Sequence, residues 1–252
     1  TVSDYNVAIG YLAMSDNQVG SDNIAIGGAA GNKLLGPENV IVGTYAGDAL
    51  TTSSGSVVIG NNALTTATTD KYGVAIGFEA MKLTPAGLAL ETTIAIGYRA
   101  MYGAGATSGI SGNVAIGSGA GYTITSGGNN VFLGYNAAYN VTAGSKNVIV
   151  GRHAGNKLAS GSEDTYIGYG AGYYATGSYN TFVGSEAGKG GTTSAPFSSG
   201  QWNTAIGYYA MKGMTTAVSN VAVGGAALQD ITTATSNVAV GLSAGENVTT
   251  GN

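Results

Sequence analysis

Apolar residues recur along this chain in short, evenly spaced bursts. One burst is Asn113-Val-Ala-Ile-Gly117-Ser-Gly-Ala120, and thirteen others resemble it closely. The repeat glycines run from Gly10 to Gly241, mostly 17 residues apart, with steps between 16 and 23. Ile, Val or Leu precedes the glycine in every copy, and Val, Ile or Thr stands three before it. Ala stands three after it each time, from Ala13 to Ala244. β-Branched residues in groups of three predict short strands, and a fixed period predicts a solenoid. No stretch carries the 3.6-residue rhythm of a helix.

The strand residues alternate. Val and Ile share one face, and the middle residue takes the other. Both faces are apolar, so both are expected to be covered. The middle residues are read as the outward set: mainly Ala, with Phe132, Tyr166 and Phe182 among the exceptions. That outward set calls for copies of the same chain. Seven residues past the glycine lies a second apolar position, with Leu34, Leu50, Ile124, Leu158 and Ile231 among its occupants. Each coil is therefore expected to hold two short strands and two turns. The turns are rich in Thr, Ser, Gly and Asn. The repeat glycine allows a corner or close backbone approach that a Cβ would block. Four before the glycine, Asn occupies ten of fourteen copies, which predicts an amide ladder along the stack. Asp164 falls in that ladder and needs a partner or a proton. The reading is all-β: one parallel β-roll or β-solenoid of about 14 coils spanning residues 1–252, roughly 65 Å long at the strand spacing. Loops are inserted near 82–93, 102–112 and 188–202.

Composition narrows the function. Of 252 residues, 44 are Gly, 9% are charged and 44% are hydrophobic, enough to bury a core. A net charge of −4 offers no basic footprint, so nucleic acid is not an expected partner. No apolar run is long enough for a membrane helix, so membrane insertion is not expected. There is no Cys, which rules out disulfides and thiolate metal sites. Thr1 opens no signal peptide, and the missing initiator Met suggests a trimmed chain or fragment.

The string Asn-Val-Ala-Ile-Gly-x-x-Ala, present from Tyr5 to Ala244, resembles the head repeat of trimeric autotransporter adhesins. The longer period, with turns such as Thr125-Ser-Gly-Gly-Asn-Asn130, is more similar to repeats found in phage tail fibres. The resemblance implies a left-handed parallel β-roll assembled as a homotrimer. It also implies attachment of a particle or cell to a host surface. A period near fourteen is usual in the adhesin heads, so the spacing here departs from them. No coiled-coil stalk, membrane anchor or self-cleaving chaperone is recognised.

Candidate chemistry is sparse. His153 is the single histidine and sits in a variable surface slot with Glu79, Arg99 and Glu186. No nucleophile motif accompanies it, so the protein is read as no enzyme. Gly184-Ser-Glu-Ala-Gly188-Lys189-Gly190 has the look of a phosphate loop but is one residue short. Repeat alignment explains its glycines. Glu163 and Asp164 form the only adjacent acidic pair, without the spacing of a calcium loop. No metal or other cofactor is expected. Glu79 and Arg99 are expected to pair across coils. A rank of Thr eight residues past the glycine could order water, as in ice-binding solenoids, or serve the turns. Aromatic residues offer the stronger signal. Tyr98, Tyr102, Tyr135, Tyr139, Tyr169 and Tyr173 fall at solvent-facing slots, and Phe197 with Trp202 lies in the longest insertion. Rings with an apolar face and polar tip suit a host glycan or protein receptor. The expectation is a fibre segment for attachment. A structural spacer or self-assembling filament is the alternative, and ice binding a weaker one.

Overall fold

The computed structural model describes residues 5–17, 20–84, 90–103, 110–191, 194–195 and 197–251. The protein is an all-β parallel β-solenoid of about 13 turns, without helix among the described residues. Two compact units divide the chain, Thr1–Asn129 and Asn130–Asn252. Pro85, Leu88 and Pro196 of the inserted loops, and Thr192 of the Thr rank, lie outside the described residues.

In the first unit the strands are β1 (Val7–Ile9), β2 (Ile24–Ile26), β3 (Val40–Val42), β4 (Val57–Ile59), β5 (Asp70–Lys71), β6 (Val74–Ile76), β7 (Leu90–Glu91), β8 (Ile94–Ile96) and β9 (Val114–Ile116). They stack in parallel in the order β1-β2-β3-β4-β6-β8-β9, with β5 and β7 paired separately. In the second unit they are β10 (Val131–Leu133), β11 (Val148–Val150), β12 (Thr165–Ile167), β13 (Thr181–Val183), β14 (Thr204–Ile206), β15 (Val221–Val223) and β16 (Val238–Val240), stacked in sequence order. Register is strict: Ile41 lies on Val58 in one unit and Tyr166 on Phe182 in the other. The second strand expected in each coil is mostly missing. Among the described residues the other pairings are β5 with β7 and isolated bridges such as Gln201 with Val218, further along the coil than the position seven past the glycine except at the bridge of Ala175 with Ser198.

The strand faces are the reverse of the expected ones. The middle residues Ala25, Ile41, Val58, Phe132, Ile149, Tyr166, Phe182 and Ala205 are fully buried inside the coil. The flanking Val and Ile point outward: Ile24, Val131, Val148, Ile167 and Ile206 are exposed. Alternation shows which residues share a face but not which face lies inside. Inside there is little room, because the Ala three past the glycine and the apolar residue seven past it close the coil. From Ala30 to Ala227, every Ala at that position is fully buried.

In several rungs the residue four past the glycine offsets the middle strand residue in volume, although Ala25 goes with Gly31, Ala115 with Gly121 and Val58 with Leu64. Where the middle strand residue is Ala75, Ala95, Ala205 or Ala222, this slot holds Met81, Met101, Met211 or Leu228, all buried. Where the middle residue is Ile41, Ile149, Tyr166 or Phe182, the slot holds Gly47, Gly155, Gly172 or Gly188. A Cβ added at Gly188 would overlap the Phe182 ring. The glycine space lets Tyr166 and Phe182 stack, centroids 4.9 Å apart.

Corners carry a backbone cost. Residues five before, two after and four after the repeat glycine all have φ between 46° and 72°. Many are not glycine, and each such residue costs roughly 1–2 kcal/mol. The repeat glycine itself lies near φ 135° at Gly43, where a Cβ would stand 2.6 Å from the Gly60 carbonyl oxygen. Only glycine allows neighbouring rungs to approach this closely.

The amide ladder is present. Asn23 Oδ1 accepts from the Asn39 N–H at 2.9 Å, and Asn203 Oδ1 from the Asn220 N–H at 3.1 Å. Each buried amide nitrogen donates in turn to a corner carbonyl, as Asn147 does to Gly161 O at 2.9 Å. Gly73 breaks the series, and the Asp70 carboxyl occupies the space a side chain there would fill. Burial pushes Asp70 up to about 6. Asp164 replaces a ladder amide outright. Its Oδ1 accepts from the Asn180 N–H at 2.8 Å. Its Oδ2 lies beside Gly161 close to the Gly177 carbonyl, where an amide would donate. Oδ2 and the buried Tyr166 hydroxyl form no well-directed hydrogen bond. Burial pushes Asp164 up to about 7, against the pull of the Asn180 N–H and the nearby Tyr166 hydroxyl.

Candidate functional site

Side chains outside the core fall into rows, because the same slot recurs on each rung. Directly after the repeat glycine the row holds Tyr98, Tyr135, Tyr169 and Tyr208, all exposed. Five past it stand Tyr102, Tyr122, Tyr139, Tyr173, Lys189, Lys212 and Gln229. Solenoid stacking brings neighbours in a row within ring-stacking distance.

In the first unit Tyr102 stacks on Tyr122 with centroids 5.1 Å apart. Arg99 lies over both Tyr98 and Tyr102, 5.1 and 5.3 Å from the ring centres. Its Nε is 2.7 Å from Glu79, which also takes the Lys82 ammonium at 2.6 Å. The expected Glu79–Arg99 pair thus forms within a triad. The Lys82 hydrogen bond holds Glu79 below its ordinary value against its partial burial, with Arg99 adding to the effect.

The second unit gathers a longer aromatic run. His153 meets the Tyr135 ring edge-on at 5.3 Å and lies 6.0 Å from Tyr173. Tyr173 packs against Tyr174, which stacks on Phe197 at 5.9 Å. Tyr169 is exposed beside this run, and Tyr139 is half-buried one rung before His153. Trp202 does not join Phe197; it stacks on Tyr179 at 5.9 Å and is 56% exposed. Burial, with the Arg152 charge, lowers the His153 pKa and favours the neutral ring. Among the described residues no three His, Cys, Asp or Glu side chains gather to hold a metal ion.

Beside Tyr174 the surface opens into a cleft of about 400 Å³, lined by Tyr174, Lys189, Lys212, Gln229, Asp230 and glycines. It exists because the slot six past the repeat glycine runs Tyr174, Gly190, Gly213, Asp230 over four rungs. Two side chains are missing between two walls. Glu186 binds Lys189 at 3.0 Å and Lys212 at 3.2 Å, both through Oε2. Partial burial works to raise Glu186, and the two ammonium groups outweigh it. A smaller hollow of about 100 Å³ adjoins, lined by His153, Tyr169, Tyr173, Tyr174, Glu186 and Lys189. Tyr169 and Tyr173 both line this hollow. Gln229 and Asp230 were not legible as cleft residues, although the successive glycines Gly190 and Gly213 at one slot were the available signal.

The Thr rank turns its hydroxyls inward along the stack. Thr51, Thr215 and Thr232 each donate to a carbonyl of the next rung at 2.8–2.9 Å.

Comparison with family models, curated proteins and solved structures finds no match.

Proposed function

We propose that this protein is a non-enzymatic fibre segment, three chains to a left-handed roll, that attaches a phage tail fibre or cell-surface adhesin head to a host surface. The observation that carries the reading is the outer strand face. In each unit two columns of Val, Ile and Leu, with Thr in β12 to β14, stand outside the core, half-buried to exposed among the described residues. Val148 and Ile167 are 38% and 39% exposed although rungs stack on either side. A flat apolar ladder of this kind is costly in water and marks an interaction surface. Two columns per chain allow copies to close around a common axis, and closed symmetry avoids open-ended association. The resemblance of the repeat to adhesin heads and tail fibres supports three copies. Exposed rings and the cleft at Tyr174 supply the contact chemistry. The Thr hydroxyls, already bonded to the next rung, favour a turn ladder over water ordering.

The test is binding of the purified oligomer to host cells and to a glycan array. Binding to neither leaves a structural spacer as the function. An oligomer that retains native mass but binds no surface would end the attachment reading without touching the assembly.

A further inference from the structure

We propose that the cleft bounded by Tyr174 and Asp230 binds a carboxylate-bearing sugar residue within an extended anionic polysaccharide. The inference rests on the attachment reading above and names the ligand class. Tyr174 and Asp230 stand three rungs apart, about 14 Å at the ladder spacing. Gly190, Gly191 and Gly213 line the cleft between them and contribute no side chains of their own. Tyr174 is held as a wall by Tyr173 on its edge and Phe197 stacked against it. An aromatic wall suits the apolar face of a pyranose ring.

Charge selects the substituent. Two ammonium groups share one carboxylate, which leaves one positive charge at the Glu186, Lys189 and Lys212 end, while Asp230 carries the balancing negative charge at the other. An ammonium has three donors, and Lys189 spends one on Glu186. Lys212 spends a second on the face of Tyr209, 3.6 Å from the ring centre. Both side chains remain about a third exposed, so their heads can be reached. At the other end the Gln229 amide donates to Asp230 Oδ1 at 3.5 Å, and the remaining carboxylate and amide groups offer acceptors and one amide N–H for hydroxyl groups. A uronate ring carries one negative charge and several hydroxyls, matching both ends. A phosphate dianion would exceed the single surplus charge and meet Asp230 with no hydroxyls to offer it. The adjoining hollow shares Tyr174 and Lys189 and adds Tyr169 and His153. It provides a second ring position, so the ligand is a chain and not a free sugar.

The experiment is a titration of the purified oligomer with trigalacturonate and with its fully methyl-esterified form, followed by calorimetry or ligand-observed NMR. The ester keeps the shape and removes the charge. We expect saturable binding of the acid, at least tenfold weaker binding of the ester, and a further weakening of the acid as salt rises. Lys212→Met should weaken the acid at least tenfold and bring acid and ester close together. Lys146→Met, which removes an exposed charge outside the cleft, should change neither. If the acid does not bind, or acid and ester bind alike, the inference falls. Should host cells still be captured in that case, the attachment reading stands and its contact lies elsewhere. Should no surface be captured, that reading fails on its own, whatever the trisaccharide does.

Discussion

The rungs at β6 and β8 and the rungs at β12 and β13 are built on one repeat but solve it oppositely. In the first pair small middle residues, Ala75 and Ala95, are matched by Met81 and Met101. In the second pair Tyr166 and Phe182 are matched by Gly172 and Gly188. The surface follows the same contrast. Glu79 gathers Lys82 and Arg99, and Tyr98 and Tyr102 close over the arginine. Glu186 gathers Lys189 and Lys212, and the neighbouring glycines leave the ammonium groups beside open space. In these four rungs a small residue at one slot is offset by a large one at the other. Where a slot is left empty outside, a cleft results.

The largest expected effect comes from breaking the volume match. Phe182→Ala should cost about 3–5 kcal/mol in denaturant unfolding, the usual range for a buried aromatic. Gly188→Met alone should also destabilise, because its side chain enters the ring's space at φ 53°. Combined, the two substitutions recreate the Ala75–Met81 pairing and should recover a large part of the single losses, a coupling that independent sites would not show.

Next comes the ladder. Asp164 is raised to about 7 in the fold from an ordinary value of 3.8. The folded state therefore holds a proton that the unfolded chain gives up. Stability should fall as pH rises from about 4 to about 7, at about 1.4 kcal/mol per unit at most, and level off above. Asp70, raised to about 6, adds to the same slope. Asp164→Asn restores the donor facing Gly177. It should stabilise the protein at pH 8 by about 1–3 kcal/mol and reduce the slope in that window. An unchanged pH profile in urea titrations would show that the carboxyl is charged in the fold.

Least is expected from Trp202→Ala. The ring is exposed, and its loss should shift unfolding by only about 0.5 kcal/mol. A loss of host binding without a loss of stability would place the contact at the Tyr179–Trp202 stack.

The period made the solenoid, the ladder and the Glu79–Arg99 pair legible, because each depends on which residues recur at one slot. Inside and outside were not legible. Val57, Val58 and Ile59 are all apolar, and alternation assigns Val58 to a face without naming it. The left-handed corners were masked as well. Gly31, Gly47, Gly155 and Gly172 mark the slot four past the glycine, but Met81, Met101 and Leu228 occupy it with the same backbone. Tertiary stacking holds those residues where local preference would not. The cleft escaped notice because it is made of missing side chains at Gly190 and Gly213, and sequence patterns register residues that are present.

The account depends most on copies of this chain covering the outer Val and Ile columns. Sedimentation equilibrium over a hundredfold dilution, with Val57→Lys and Ile59→Lys for comparison, tests this directly. Three chains' mass for the native protein, and loss of that mass in the lysine variants, is the predicted result. A folded single chain at every concentration, its apolar columns open to water, would contradict it.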